Sequence, residues 1–193
     1  MSLKNILNKK SWSRLIAIDP ASHSLAWCVI DSDKNVLATG KIILSSTRDQ
    51  SDKFKLIKKE LIDVINKYTP DAAVIEQSVY IQNFQTSRVI SYIIGFSWGV
   101  MSDKCDSIQD VNPLVWKSAI GYKNVTKKDQ EVLKNNGKKG SLPIKAKNER
   151  KQRVREIVSV AYGSDTPGLE DDDIIDALGI ALWYYKTGGK NGS

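Results

Sequence analysis

The stretch "RLIAIDPASHSLAWCVIDSDKNVLATGKIIL", Arg14–Leu44, contains three short apolar or alternating runs, "RLIAIDP", "SLAWCVID" and "NVLATGKIIL", with turn residues between them. Runs of this length and period predict strands, and the short turns predict that the three pair antiparallel. Outward from this sheet, "SDKFKLIKKELIDVINKYT" carries Phe54, Ile57, Leu61, Ile62 and Ile65 at helical spacing, and Pro70 stops it. "DAAVIEQ" follows as a brief apolar run entered from a helix, the pattern of a buried parallel strand. A helix from about Asn83 to Ser102, a short strand "DSIQDV", a short helix after Asn112 and Pro113, a basic helix and a closing acidic helix complete the order. Together these predict an α/β layer architecture, a mixed five-stranded sheet flanked by helices.

Composition bounds the function. A chain of 193 residues with 41% hydrophobic and 26% charged content reads as one globular domain. Cys28 and Cys105 lie far apart with no CxxC or Cys/His spacing, which points away from a disulfide framework or a zinc site and toward reduced thiols. No apolar run reaches the length of a membrane span, and "MSLKNILNKK" lacks a signal-peptide core, so a cytoplasmic protein without membrane contact is expected.

The net charge of +7 is concentrated in one place. Twelve Lys or Arg face only Asp129, Glu131 and Glu149 between Lys123 and Arg155, so the rest of the chain is slightly acidic. Residues 121–148 read as a mobile basic insertion ahead of a basic helix, and the termini as flexible. Such a basic block fits a polyanion, nucleic acid first among them, against the plainer reading of a solubilising loop.

Acidic residues fall in the opposite pattern. "LIAID" and "AVIE" are apolar strands that each end in one carboxylate, Asp19 and Glu76, at the edge where α/β sheets place ligands. Either acid alone reads as a turn or cap residue. In "GLEDDDIIDALGIALWYY", Gly168–Tyr185, the leading acids suit a helix N-terminus, but Asp176 is followed at i+4 and i+7 by Ile180 and Trp183 and so shares an apolar face. Asp173 precedes it by three residues on that face, and Asp172 by four. Four carboxylates that converge repel one another unless protons or cations intervene, and hard divalent ions such as Mg²⁺ take oxygen ligands of this kind.

The ordered set "IAIDP", "VIEQ" and "DIIDALGIA" resembles the RuvC-type Holliday-junction resolvases of the RNase H-like superfamily, and a divergent, phage-type member fits best. The resemblance spans about Arg14 to Tyr185. It implies an RNase H-like fold and a Mg²⁺-dependent endonuclease for branched DNA, acting in recombination and repair as a homodimer. On these motifs Asp19, Glu76, Asp173 and Asp176 would hold two Mg²⁺ ions, for which Mn²⁺ would substitute. "LVWKSAIGY" and "ERKQRV" resemble the family's two basic segments, which makes Lys117 and Lys151 DNA-contacting or catalytic, with Arg150 and Arg153 beside Lys151 as backbone contacts.

Departures are visible too. Ala21 stands where the family usually has Gly after "DP", and Val79 where it has an aromatic wedge, leaving Tyr80 or Phe84 to stack on bases or to serve as a core contact. Ser87, Ser91, Gly95 and Gly99 leave a stripe without bulk, suited either to packing on the sheet or to a second copy of the chain. His23 beside the first acid could support a phosphate or a proton transfer, or be incidental. Other readings are a flap, fork or RNA/DNA-hybrid nuclease on this fold, an inactive DNA-binding scaffold, and an ATP-binding domain of the actin and sugar-kinase type. The last lacks glycine-rich phosphate loops here.

Overall fold

In a computed structural model the described residues are 12–45, 49–78, 84–135 and 140–189. The flexible termini expected from sequence, and Tyr80, lie outside them.

Three strands open the fold: β1 (Arg14–Pro20), β2 (Ser24–Asp31) and β3 (Val36–Ile43), paired antiparallel in sequence. A tight turn closes the first pair, with the Ala21 amide donating to the Ser24 carbonyl at 2.8 Å, so alanine is accommodated there. Helix α1 (Gln50–Tyr68) begins at an Asp49 cap and ends at Thr69, held at φ 44 immediately before Pro70. It returns the chain to β4 (Ala72–Glu76), which pairs parallel to β1. Helix α2 (Phe84–Ser102) then leads to β5 (Ser107–Val111), parallel to β4. The sheet order is β3-β2-β1-β4-β5, the five-stranded mixed sheet that the periodicity predicts.

Alternation along the strands sorts two apolar layers. Ile16, Ile18, Leu25, Val29, Ala73 and Ile75 face α1 and α2. Leu15, Ala17, Ala26, Cys28, Ala72 and Val74 face the other way, onto Trp116 and the closing helices. One irregularity matters: the β2–β3 register shifts between Val29, which pairs Ala38, and Ile30, which pairs Val36, so Leu37 is an extra residue on β3.

After β5, Asn112 caps the short α3 (Pro113–Ala119), and the expected mobile insertion proves largely helical. Helix α4 (Lys127–Asn135) buries Leu133, and α5 (Leu142–Tyr162) starts at Leu142 rather than after the Gly, Asn and Lys-rich run. Two local signals explain the difference. Thr126 and Asp129 bond each other's backbone amides at the start of α4, and Pro143 suits a first helical turn. Arg153 fastens the pair, bridging Asp129 at 3.1 Å and Glu149 at 3.0 Å while donating to the carbonyls of Lys123 and Asn124.

The small-residue stripe on α2 does not pack on the sheet. Ser91, Gly95 and Gly99 are exposed, and a Cβ added at either glycine would meet nothing within 4 Å. Ile90, Ile93, Ser97 and Met101 supply the buried side of α2.

Candidate active site

Strand parity brings the acids together. Asp19 ends β1 and continues the side of Leu15 and Ala17, and Glu76 ends the neighbouring parallel strand on the side of Ala72 and Val74. Both carboxylates therefore emerge on the face covered by α6 (Asp172–Thr187), whose residues from Ile174 to Tyr184 are almost all buried. Asp171 caps α6, accepting from the amides of Asp173 and Ile174, so capping falls to one member of the acidic run. Asp172 turns outward to Arg155 at 2.9 Å. Asp173 and Asp176, three residues apart, turn inward with side chains 30% and 15% exposed.

The charges in this group are strongly interdependent. The Asp19 residue keeps some accessible surface, but its carboxyl is set deep among protein atoms. Burial pushes its pKa well above the ordinary carboxylate range, and Glu76, Asp176 and Asp173 push it further, with Lys151 opposing. Burial likewise raises Glu76, against the Trp116 indole N–H that donates to its Oε2 at 2.5 Å and the nearby Lys117 ammonium.

Two lysines balance the acids. For Lys151 burial works against its charge, yet Asp176 at 3.3 Å together with Asp172 and Asp173 outweighs it and holds the ammonium above its usual pKa. On the opposite side Lys41 lies 2.6 Å from Asp173 and 3.1 Å from Asp171, and Ser24 donates to Asp173 at 3.0 Å.

Beside the acids opens a cleft of about 400 Å³ lined by Lys117, Tyr122, Lys147, Arg150, Lys151, Val154 and Asp176. Three of the four basic residues expected to meet nucleic acid thus share one cavity with a carboxylate of the set. Arg153 stands apart, committed to the α4–α5 contacts. Phe84 opens α2 and is 72% exposed, so an aromatic face is available at that point, and His23 is exposed in the β1–β2 turn. Sequence reading missed Lys41, Ser24, Trp116, Tyr122 and Lys147. Trp116 sits in a quoted motif, but its bond to Glu76 joins residues far apart in the chain.

Hard oxygen donors around a buried acid, four carboxylates with two lysines beside them, suit a hard divalent cation better than a soft metal. Among the described residues no three such groups are already gathered around one point. Lys151 lies against Asp176, so ion binding there would exchange that ammonium for metal. In kind, these carboxylates are the donors that a hard divalent cation takes.

A mixed sheet of this order, with one acid near the end of each of its central parallel strands and a pair on the covering helix, defines the RNase H-like class. The family model described as crossover junction endodeoxyribonuclease RuvC matches residues 15–135, and the chain belongs to that family. A crossover junction endodeoxyribonuclease RuvC from Alkaliphilus oremlandii is 24% identical over 178 residues, covering 90% of this chain and 93% of the relative. Its counterpart from Alkaliphilus metalliredigens is 29% identical over the same lengths. Among solved structures, T. thermophilus RuvC in complex with Holliday junction substrate superposes with a TM-score of 0.66 at 15% identity, covering 91% of this chain and 96% of that one. The Fowlpox virus resolvase with Holliday junction DNA gives 0.52 at 16% identity, covering 92% and 99%.

Proposed function

We propose that this chain is a Mg²⁺-dependent endonuclease that cuts phosphodiester bonds in branched DNA, with the four-way junction as its principal substrate. The observation that carries this reading is the meeting of Asp19, Glu76, Asp173 and Asp176 on one face of the sheet beside the basic cleft of Lys117, Lys147, Arg150 and Lys151. Those acids would hold two Mg²⁺ ions, or Mn²⁺ in their place. The ions would supply charge stabilisation for the attacking and leaving oxygens of the phosphodiester.

The chain's own residues do the rest. Trp116 fixes one oxygen of Glu76, Lys151 stands where negative charge on a phosphate would need offsetting, and the cleft cations grip the DNA backbone. Phe84, and Tyr80 ahead of it, offer stacking surfaces for unpaired bases. The open stripe on α2 supports pairing with a second copy, which would present two sites to two strands of a junction.

The test is Mg²⁺-dependent cleavage of four-way junction, flap, fork, duplex and RNA/DNA-hybrid substrates by wild-type protein and Asp19→Asn. Paired symmetrical nicks in the junction, lost in the variant while junction binding persists, are expected. Undiminished cleavage by Asp19→Asn, or preference for flap or hybrid, overturns the assignment.

A further inference from the structure

Lys41 is a charged residue on the inward face of a strand, and its position follows from register. It pairs with Ala26 on β2, so it points toward α6 with Ala26 and Cys28 rather than toward α1. There its ammonium meets two carboxylates of the helix start, Asp173 Oδ2 at 2.6 Å and Asp171 Oδ2 at 3.1 Å, with only 24% of its side chain exposed.

The two oxygens of Asp173 are treated differently. Oδ2 receives both Lys41 and the Ser24 hydroxyl, the latter at 3.0 Å. Oδ1 has Lys151 at 3.9 Å, too long for a hydrogen bond, and so lies on the side of Lys151 and Asp176. A carboxylate fixed through one oxygen keeps the other in a defined direction, and partners of this kind orient metal ligands in general.

We propose that Lys41 and Ser24 are positioning residues that clamp Oδ2 of Asp173 and so set its Oδ1 for divalent-cation binding. This rests on the nuclease reading above. It gives β3, which contributes no acid, a part in the site.

The purely structural alternative is that Lys41 only ties β3 to the loop before α6. Thr39 separates the two, because its hydroxyl donates to the Pro167 carbonyl at 3.1 Å in that same loop without touching Asp173. Mn²⁺ binding by isothermal calorimetry, with thermal melts alongside, is the experiment. Lys41→Met should bind Mn²⁺ about 10- to 100-fold more weakly than wild type, the range for residues that orient a ligand. Ser24→Ala should shift the same way, Lys41→Arg should recover much of the affinity, and Thr39→Val should leave it unchanged. Equal or tighter binding by Lys41→Met would mean that the lysine merely competes with the ion, and equal weakening by Thr39→Val would mean a loosened loop; either overturns the proposal. Wild-type protein that binds no Mn²⁺ overturns the nuclease reading and this inference with it.

Discussion

Gly179, in the middle of α6, leaves open the space that the Trp116 ring fills. A Cβ at Gly179 would lie 2.5 Å from Cζ3 of the indole. The same indole donates its N–H to Glu76, so a packing contact in the core and the orientation of a site carboxylate depend on one side chain.

Gly179→Ala should therefore destabilise the protein, although alanine is the better helix former by about 1 kcal/mol. Overpacking typically costs about 1–3 kcal/mol and would displace the ring from Glu76. Trp116→Phe keeps most of the packing but removes the donor, and cleavage should fall about 10- to 100-fold. Chemical denaturation and junction-cleavage rates check the pair. A Trp116→Phe variant with full activity would remove Trp116 from the site.

The Asp19 carboxyl makes metal-free stability depend on pH. Burial first, then the neighbouring acids, raise its folded pKa above the unfolded value. Between those values the native state holds a proton that the unfolded chain has lost, so this contribution is complete below the ordinary carboxylate range and is lost as pH rises through the folded pKa. Asp19→Asn needs no such proton. In chelator it should melt above wild type at neutral pH, with the gap closing on acidification. A variant that melts below wild type throughout contradicts this.

On the proposed assignment Asp172 and Asp173, adjacent in sequence, differ in function. Asp172→Asn loses the Arg155 contact at a surface ion pair and should cleave within a few-fold of wild type. Asp173→Asn should lose more than the roughly 10- to 100-fold typical of a residue that only orients a ligand. Single-turnover cleavage by the two variants distinguishes them, and equal losses would refute the division.

Cleft cations and the α4–α5 fastener should separate in salt dependence. Removing Lys117, Lys147 or Arg150 should each reduce the slope of log affinity against log salt by about 0.9. Arg153→Gln should leave that slope unchanged and expose 127–135 to proteolysis, since its bonds to Asp129, Lys123 and Asn124 hold that segment. Junction binding by anisotropy across salt, with limited proteolysis, provides both readouts.

Much of this architecture is visible in local pattern. The period of two in β1 and β2, helical spacing in α1, Pro70, and the Asn112–Pro113 start of α3 each act within a few residues, and each appears where expected. Asp19, Glu76, Asp173 and Asp176 were also legible, because strand ends and i,i+3 spacing fix their faces. Helix α4 and the first turns of the expected basic helix α5 were not, since the run of Gly, Asn and Lys masks the burial of Leu133 and Ala146. Lys41, Ser24 and Trp116 act across elements far apart in the chain, and no local signal reports a contact of that range.

The extra residue Leu37 has a consequence for how the hairpin assembles. Were Leu37 to pair in turn with Val29, with no bulge, Lys41 would oppose Leu25 and point into the apolar layer of Ile16, Ile18 and Ile75. An ammonium there would have no water and no carboxylate, a heavy penalty on the slipped pairing. The lysine that meets Asp173 in the finished fold therefore also disfavours the bulge-free β2–β3 pairing, whereas deleting Leu37 would keep Lys41 opposite Ala26.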